Sequence, residues 1–236
     1  MTDTTIPAVL AAFSWLDALA VAMILLAWFS IRWLIEHSPD HRPSMGRVMK
    51  DYRREWMTQF VTRTPRIFDA SVLSSLRQGT TFFASACMIA IGSGLALLGN
   101  TERLDTVAEE LIAADAPRIV WEIKILFVLL FVTSGFLAFV WSHRLFGYNA
   151  IVMASVPNDV TDPTALPRAA KAAEININAA RSYNRGLRAV YFAIAALAWL
   201  LGPIALIVAT VITFVVLWRR EFRSNSRSVL IARDLP

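Results

Sequence analysis

From Ala189 to Trp218 the chain runs for thirty residues without a charged side chain. A water-soluble fold has no use for such a run, because a helix on a soluble core still presents one polar face. A bilayer does, since about 20 apolar residues span its hydrocarbon core. Three further apolar stretches accompany it, at residues 9–34, 80–98 and 120–141. All are too long for membrane barrel strands, which take about 10 residues of alternating polarity. The expected fold is all-α: a polytopic helical membrane bundle, one domain over residues 1–236, with four membrane-embedded segments plus interfacial amphipathic helices.

Composition supports the membrane reading. Only 17% of the residues are charged and mean hydropathy is +0.52, whereas soluble domains carry about 25% charged residues. Eight tryptophans suit the membrane–water interface. The net charge of +5 does not imply nucleic acid, because the basic residues lie between apolar spans. The single cysteine, Cys87, excludes an intramolecular disulfide and a cysteine-based metal site. No basic residue precedes Arg32, so the first run lacks the basic flank of a cleaved signal and is expected to remain as a span.

Loop charges predict orientation. Loops at about 36–70 and 143–186 are basic, while the loop at about 99–119 carries Glu102, Asp105, Glu109, Glu110 and Asp115. The positive-inside rule then places the two basic loops in the cytoplasm and the N-terminus outside. The tail conflicts with four full crossings, because Arg219, Arg220, Arg223, Arg227 and Arg233 follow the last run. Gly202-Pro203 lies mid-run and marks a helix break. Two readings follow: one long, kinked, tilted helix, or a hairpin returning the tail to the cytoplasm. Halves of about 13 and 16 uncharged residues are short for separate crossings, so length favours the single kinked helix.

The loops carry helical signals. Ser44 is positioned to cap a helix reaching about Val61, with Met45, Val48, Met49, Tyr52, Trp56 and Phe60 at helical spacing. Arg47, Lys50, Arg53 and Arg54 occupy its other positions, so with Trp56 it reads as an interfacial lipid-binding helix. Thr64-Pro65 reads as the cap and first residue of the next helix. Thr101 is positioned to cap a short outer helix, and residues 169–183 read as a helix ending or bending near Gly186.

No Walker loop, dinucleotide fingerprint, zinc-protease motif or nucleophile elbow is present, so no catalytic residue, metal or cofactor is assigned. His37, His41 and His143 read as solvated interfacial histidines. Ala86, Ala90 and Gly94 recur every four residues and form a small face for close helix packing. Asp17 and Lys124 lie at matching depths inside their spans, which suggests an intramembrane ion pair with Glu122 as the competing partner. Arg32, Arg77, Arg144, Arg185 and Arg188 fall near the cytoplasmic ends of the spans, where they form a candidate anion or lipid-phosphate site. Asn176, Asn178, Arg181 and Asn184 add a polar stripe beside it.

Several segments carry a family resemblance. They are Thr81-Phe82-Phe83-Ala84-Ser85, Trp141-Ser142-His143-Arg144 with Tyr148-Asn149, and the run from Asn184 to Ala193. Leu197-Ala198-Trp199, Gly202-Pro203 and Arg219-Arg220-Glu221-Phe222-Arg223 complete the set. On these the chain resembles the bacterial domain-of-unknown-function 599 family of integral membrane proteins. That resemblance implies a multi-pass protein of the bacterial inner membrane and supplies no catalytic residues. His143 departs from the apolar residue expected at its position.

Two functional classes are expected. One is a self-associating small pore or transport-related protein with an arginine-rich cytoplasmic mouth. The other is a structural or accessory subunit of a larger membrane complex, or a lipid-organising protein. Anionic membrane lipids are the expected partners, with a homo-oligomer or larger complex and no nucleic acid. A lipid-modifying enzyme ranks last, for want of a nucleophile or metal set.

Overall fold

A computed structural model of the chain describes residues 13–100 and 117–232. These form helices and connecting turns, with no strand among them. In chain order the helices are α1 (Trp15–Glu36), α2 (Met45–Thr62), α3 (Ile67–Gly99), α4 (Arg118–Ala154), α5 (Ala165–Leu197), α6 (Pro203–Phe222) and α7 (Asn225–Ile231). Four segments are long and apolar enough to cross a membrane: α1, α3, α4 and the α6–α7 stretch Pro203–Ile231. The predicted outer helix after Thr101 lies outside the described residues.

The bundle is built on the antiparallel pair α4–α5. Gly135 approaches the Gly186 carbonyl, and a Cβ at Gly135 would stand 3.4 Å from it. Small residues permit such close approach, and α5 also buries Ala189, Ala193 and Ala196. A Cβ at Gly186 would meet the Phe139 ring at 2.7 Å. Gly186 is therefore a packing residue inside one continuous helix, and of the end or bend expected near it the end does not occur.

Two cores follow. The first lies among α1, α4, α5 and α6, around Ile24, Ile31, Phe131, Phe192 and Leu206. The second lies where the long helices extend past the apolar level, around Met57, Phe60, Leu73, Phe146 and Met153. α3 and α4 reach this second layer because 33 and 37 residues make about 50 and 55 Å of helix, against about 30 Å of hydrocarbon. Outside the cores α1, α3 and α6 present Phe29, Trp33, Phe82, Ile89, Val208 and Ile212, as lipid-facing helices do.

Ser44 caps α2 as expected, accepting from the Arg47 amide at 3.3 Å. The apolar side of α2 does not stand free for lipid. Val48, Met57, Phe60 and Val61 are buried, with α5 the main neighbour of α2. α3 begins at Ile67 with Arg66 at its cap position and no side-chain cap. Pro65 lies outside the helix that it was expected to start, and the Thr64–Pro65 peptide is cis.

The fourth apolar run corrects the expected topology. It is a hairpin rather than one kinked helix. α5 passes through a 3-10 turn, Ala198–Leu201, to Gly202, whose φ of 121° is a conformation that side chains disfavour. Pro203 then opens α6, where its missing amide proton costs nothing. Trp199 at the turn donates to Asp17 at the start of α1, Nε1 to Oδ1 at 2.8 Å. At the far end of α6, Glu221 accepts from the Gly46 amide at 3.3 Å, and Arg220 hydrogen-bonds Tyr191 back on α5. Ser44, two residues before Gly46, donates to the Ile35 carbonyl at the end of α1. α6 therefore returns to the end of the bundle where α1 finishes.

The limbs are long enough because charge does not set their length. The ascending limb continues a helix begun at Ala165, and the 20 residues of α6 make about 30 Å. Arg219, Arg220, Arg223 and Arg227 of the tail thus share one end of the molecule with both basic loops, while Arg233 lies outside the described residues. We call this the basic end.

A candidate anion site at the basic end

α1 ends, α2 begins, α5 passes and α6 ends around one cavity of about 490 Å³. Its cationic lining is Arg47 and Lys50 and Arg53 from α2, with Arg181 and Arg188 from α5. Against these five stand two carboxylates, Glu36 and Glu221. The helical spacing of 47, 50 and 53 puts three cations on one side of α2, turned toward α5.

The carboxylates are committed elsewhere. Arg185 clamps Glu36 bidentately, Nε to Oε1 at 2.8 Å and Nη2 to Oε2 at 2.6 Å. Arg32 stands 3.4 Å from the same carboxylate and the buried Arg188 3.7 Å from it. Glu221 faces the N-terminus of α2 through the Gly46 amide, where a helix favours negative charge.

Several cations are also held. Arg47 donates to the Ser38 carbonyl and pairs with Asp40. Arg53 hydrogen-bonds the fully buried Asn176, whose Nδ2 has no partner among the described residues. Lys50 and Arg181 remain: neither makes a side-chain hydrogen bond or ion pair with any described residue. Burial, then the charges of Arg181, Arg47 and Arg54, pushes the Lys50 ammonium below the ordinary lysine value. Burial likewise lowers Arg53. Crowded, partly desolvated cations of this kind suit a polyoxyanion, which guanidinium groups grip through paired N–H donors.

The predicted sites thus regroup. Of the five arginines expected at the cytoplasmic ends of the spans, Arg32, Arg185 and Arg188 converge on Glu36, while only Arg188 lines the cavity. Arg77 lies in a separate cavity with His143, and Arg144 stacks at 5.5 Å on Tyr148. Within the predicted lipid-binding set, Arg47, Lys50 and Arg53 turn inward, Arg54 pairs with Glu174 at 2.8 Å, and Trp56 donates to the buried Asp69 at 2.7 Å. Glu36 and Glu221 were not singled out from the sequence. Glu36 four residues after Arg32 reads there as an ordinary helix pair, and Glu221 sits among arginines.

At the opposite end Asp17 and Lys124 share a neighbourhood but form no ion pair among the described residues. Asp17 completes a capping box with Ser14 and accepts from Trp199. Lys124 lies over the rings of Trp121 and Trp199, at 5.1 and 5.9 Å. Glu122 pairs with Arg118 at 2.8 Å rather than with Lys124. His37 stacks on Trp33 and lines the anion cavity, whereas His143 lines the other one, so the two do not meet. Among the described residues no cluster of histidine, cysteine and carboxylate groups is arranged to hold a metal.

Residues 19–226 match the family described as protein of unknown function, DUF599. The chain belongs to that family. No curated protein and no solved structure matches it. The family carries no activity to transfer, so function is argued from the cavities of this chain.

Proposed function

We propose that this family member is an anion-binding protein of the bacterial inner membrane. In this reading it holds a phosphate-class oxyanion in the basic-end cavity, with that end in the cytoplasm and the N-terminus outside. The carrying observation is the pair of cations, Lys50 and Arg181, that line the cavity with no partner among the described residues. Orientation rests on the gathering of both basic loops and the described tail arginines at one end.

Capture, rather than conduction through one protomer, fits the interior. The space between α1, α4, α5 and α6 is filled by Phe131, Phe192, Ile24 and Leu206. A pore would have to run between copies of the chain, or beside a partner subunit.

The oxyanion comes either from a lipid headgroup or from solution, and two arms separate these sources. Purified protein in neutral detergent is titrated with inorganic phosphate by calorimetry. In parallel, native mass spectrometry counts phosphatidylglycerol retained against phosphatidylcholine. We expect saturable binding in at least one arm, weakened about tenfold or more in the Lys50→Gln/Arg181→Gln double variant, since two charges that no described group neutralises are removed. Absence of binding in both arms, or a double variant that binds like the parent, overturns the proposal.

A further inference from the structure

A second cavity, of about 690 Å³, lies between the first half of α3 and the second half of α4, with Phe60 of α2 at its side. It shares no lining residue with the anion site. Its walls are mainly apolar: Phe60, Leu73, Phe82, Ala150 and Met153. Apolar surface dominates it, yet seven of its fourteen lining residues are polar or charged, Arg77 of α3 and His143 of α4 among them. That balance, in a space of several hundred Å³, is the usual make-up of a small-molecule site.

Arg66 also lines this cavity but is already committed. It donates to the Val156 and Pro157 carbonyls, each at 2.8 Å, and lies over the Phe60 ring at 4.3 Å. It ties the end of α4 to the start of α3. Arg77 is different. Its guanidinium has no hydrogen bond or ion pair with any described residue, and its Nε is buried. Nε is enclosed by protein, so a ligand meets the outer guanidinium nitrogens, whose charge is likewise uncompensated and would pair with an oxyanion.

His143 adds a defined second group. The hydroxyls of Thr80 and Thr81 both donate to the Arg77 carbonyl, at 2.6 and 3.2 Å. Their oxygens are then acceptors toward His143 Nδ1, at 3.2 and 3.3 Å. This assigns the proton of the neutral ring to Nδ1 and leaves Nε2 an acceptor with no described partner.

Position in the bundle says how a ligand arrives. Arg77 and His143 sit immediately beyond the apolar spans, whose cores run over residues 80–98 and 120–141. Headgroups occupy that level. Phe82, which stands 68% exposed on a membrane helix, forms part of the rim. The mouth therefore opens sideways at the bilayer edge. We infer that this cavity binds a single-chain amphiphile with a monoanionic oxyacid head, the charge of the head on Arg77 and the chain along the Phe60–Leu73–Met153 wall. A single charge follows from the one uncommitted arginine.

The probe is cis-parinaric acid, a fluorescent fatty acid, added to protein in phosphatidylcholine nanodiscs. Energy transfer from tryptophan reports occupancy, with empty nanodiscs as background. We expect saturable binding, weakened tenfold or more in Arg77→Gln, and blocked in Ala150→Trp, which fills the cavity. The methyl ester, with no charge, should bind the unaltered protein at least tenfold more weakly, a comparison that does not depend on any variant folding. Lys50→Gln/Arg181→Gln should leave the affinity unchanged, which separates this site from the anion cavity. Binding no stronger than to empty nanodiscs, or equal affinity for acid and ester, overturns the inference.

Discussion

Replacing Glu36 with glutamine should lower stability and raise anion affinity together. Glu36 lines the anion cavity and is also the centre of three arginines, so the two effects share a cause but differ in sign. A sphere of 490 Å³ has a radius of about 5 Å, which puts a central anion about 5–7 Å from the carboxylate. At an effective dielectric of about 20–40 the repulsion removed is about 1–3 kcal/mol, or about fivefold to a hundredfold in affinity. On the other side, the variant keeps the side-chain shape but loses the charge and one of the two oxygens that accept from Arg185. Charge-assisted hydrogen bonds contribute about 1.5–3 kcal/mol each, and solvent exposure of Arg185 reduces this, so we expect a loss of about 1–3 kcal/mol. Thermal unfolding in detergent reads the stability change, and phosphate calorimetry reads the affinity. A folded variant whose phosphate affinity is unchanged or weaker would refute the placement of the anion. Glu221→Gln, on another helix of the same cavity, repeats the affinity test where Glu36→Gln fails to fold.

Three further outcomes follow from the geometry. The Lys50 pKa is lowered by burial and by Arg181, so in the alkaline window below the ordinary lysine value the unfolded chain binds more proton and stability rises with pH. A bound anion reverses that shift, and phosphate binding in this window should take up protons, read by calorimetry in buffers of different ionisation enthalpy; binding without uptake would move the anion away from Lys50. Gly186→Ala places a Cβ 2.7 Å from the Phe139 ring inside the α4–α5 contact and should cost about 1–3 kcal/mol, visible as a lower Tm. An unchanged Tm would mean that the ring yields freely. Cysteine introduced at exposed Val229 should label from the same side of the membrane as one at exposed Thr58, because Tyr52 of α2 hydrogen-bonds the Leu230 carbonyl of α7. Labelling from opposite sides would refute the α5–α6 hairpin.

Much of the secondary structure was legible one residue at a time. Ser44 as a cap and Gly202-Pro203 as a break are local signals, and both act as local chemistry requires. Gly186 shows the limit. Glycine late in a polar stretch reads as a helix end, but here a neighbouring ring takes the space where a Cβ would stand. Asp17 shows it again. Its depth suggested a charged partner, and the partner it found is the indole of Trp199, brought to it by the chain reversal at Gly202.

By themselves, uncharged length and loop charge determined the helical membrane class and the apolar runs, because transferring charge into hydrocarbon is too costly to be overridden by packing. The balance of basic loops even argued for the return of the tail, against the limb lengths counted from uncharged residues. Which of these won was a tertiary matter. A polar helix from Ala165 lends its length to the ascending limb once its arginines find Glu36 and the small faces of α4 and α5 meet. The same packing sorted cations that the sequence presents alike. It neutralised Arg185 and Arg32 on Glu36, tied Arg66 to carbonyls, and left Lys50, Arg181 and Arg77 facing cavities. Charge is written in the sequence, whereas the pairing of charge depends on three-dimensional neighbours.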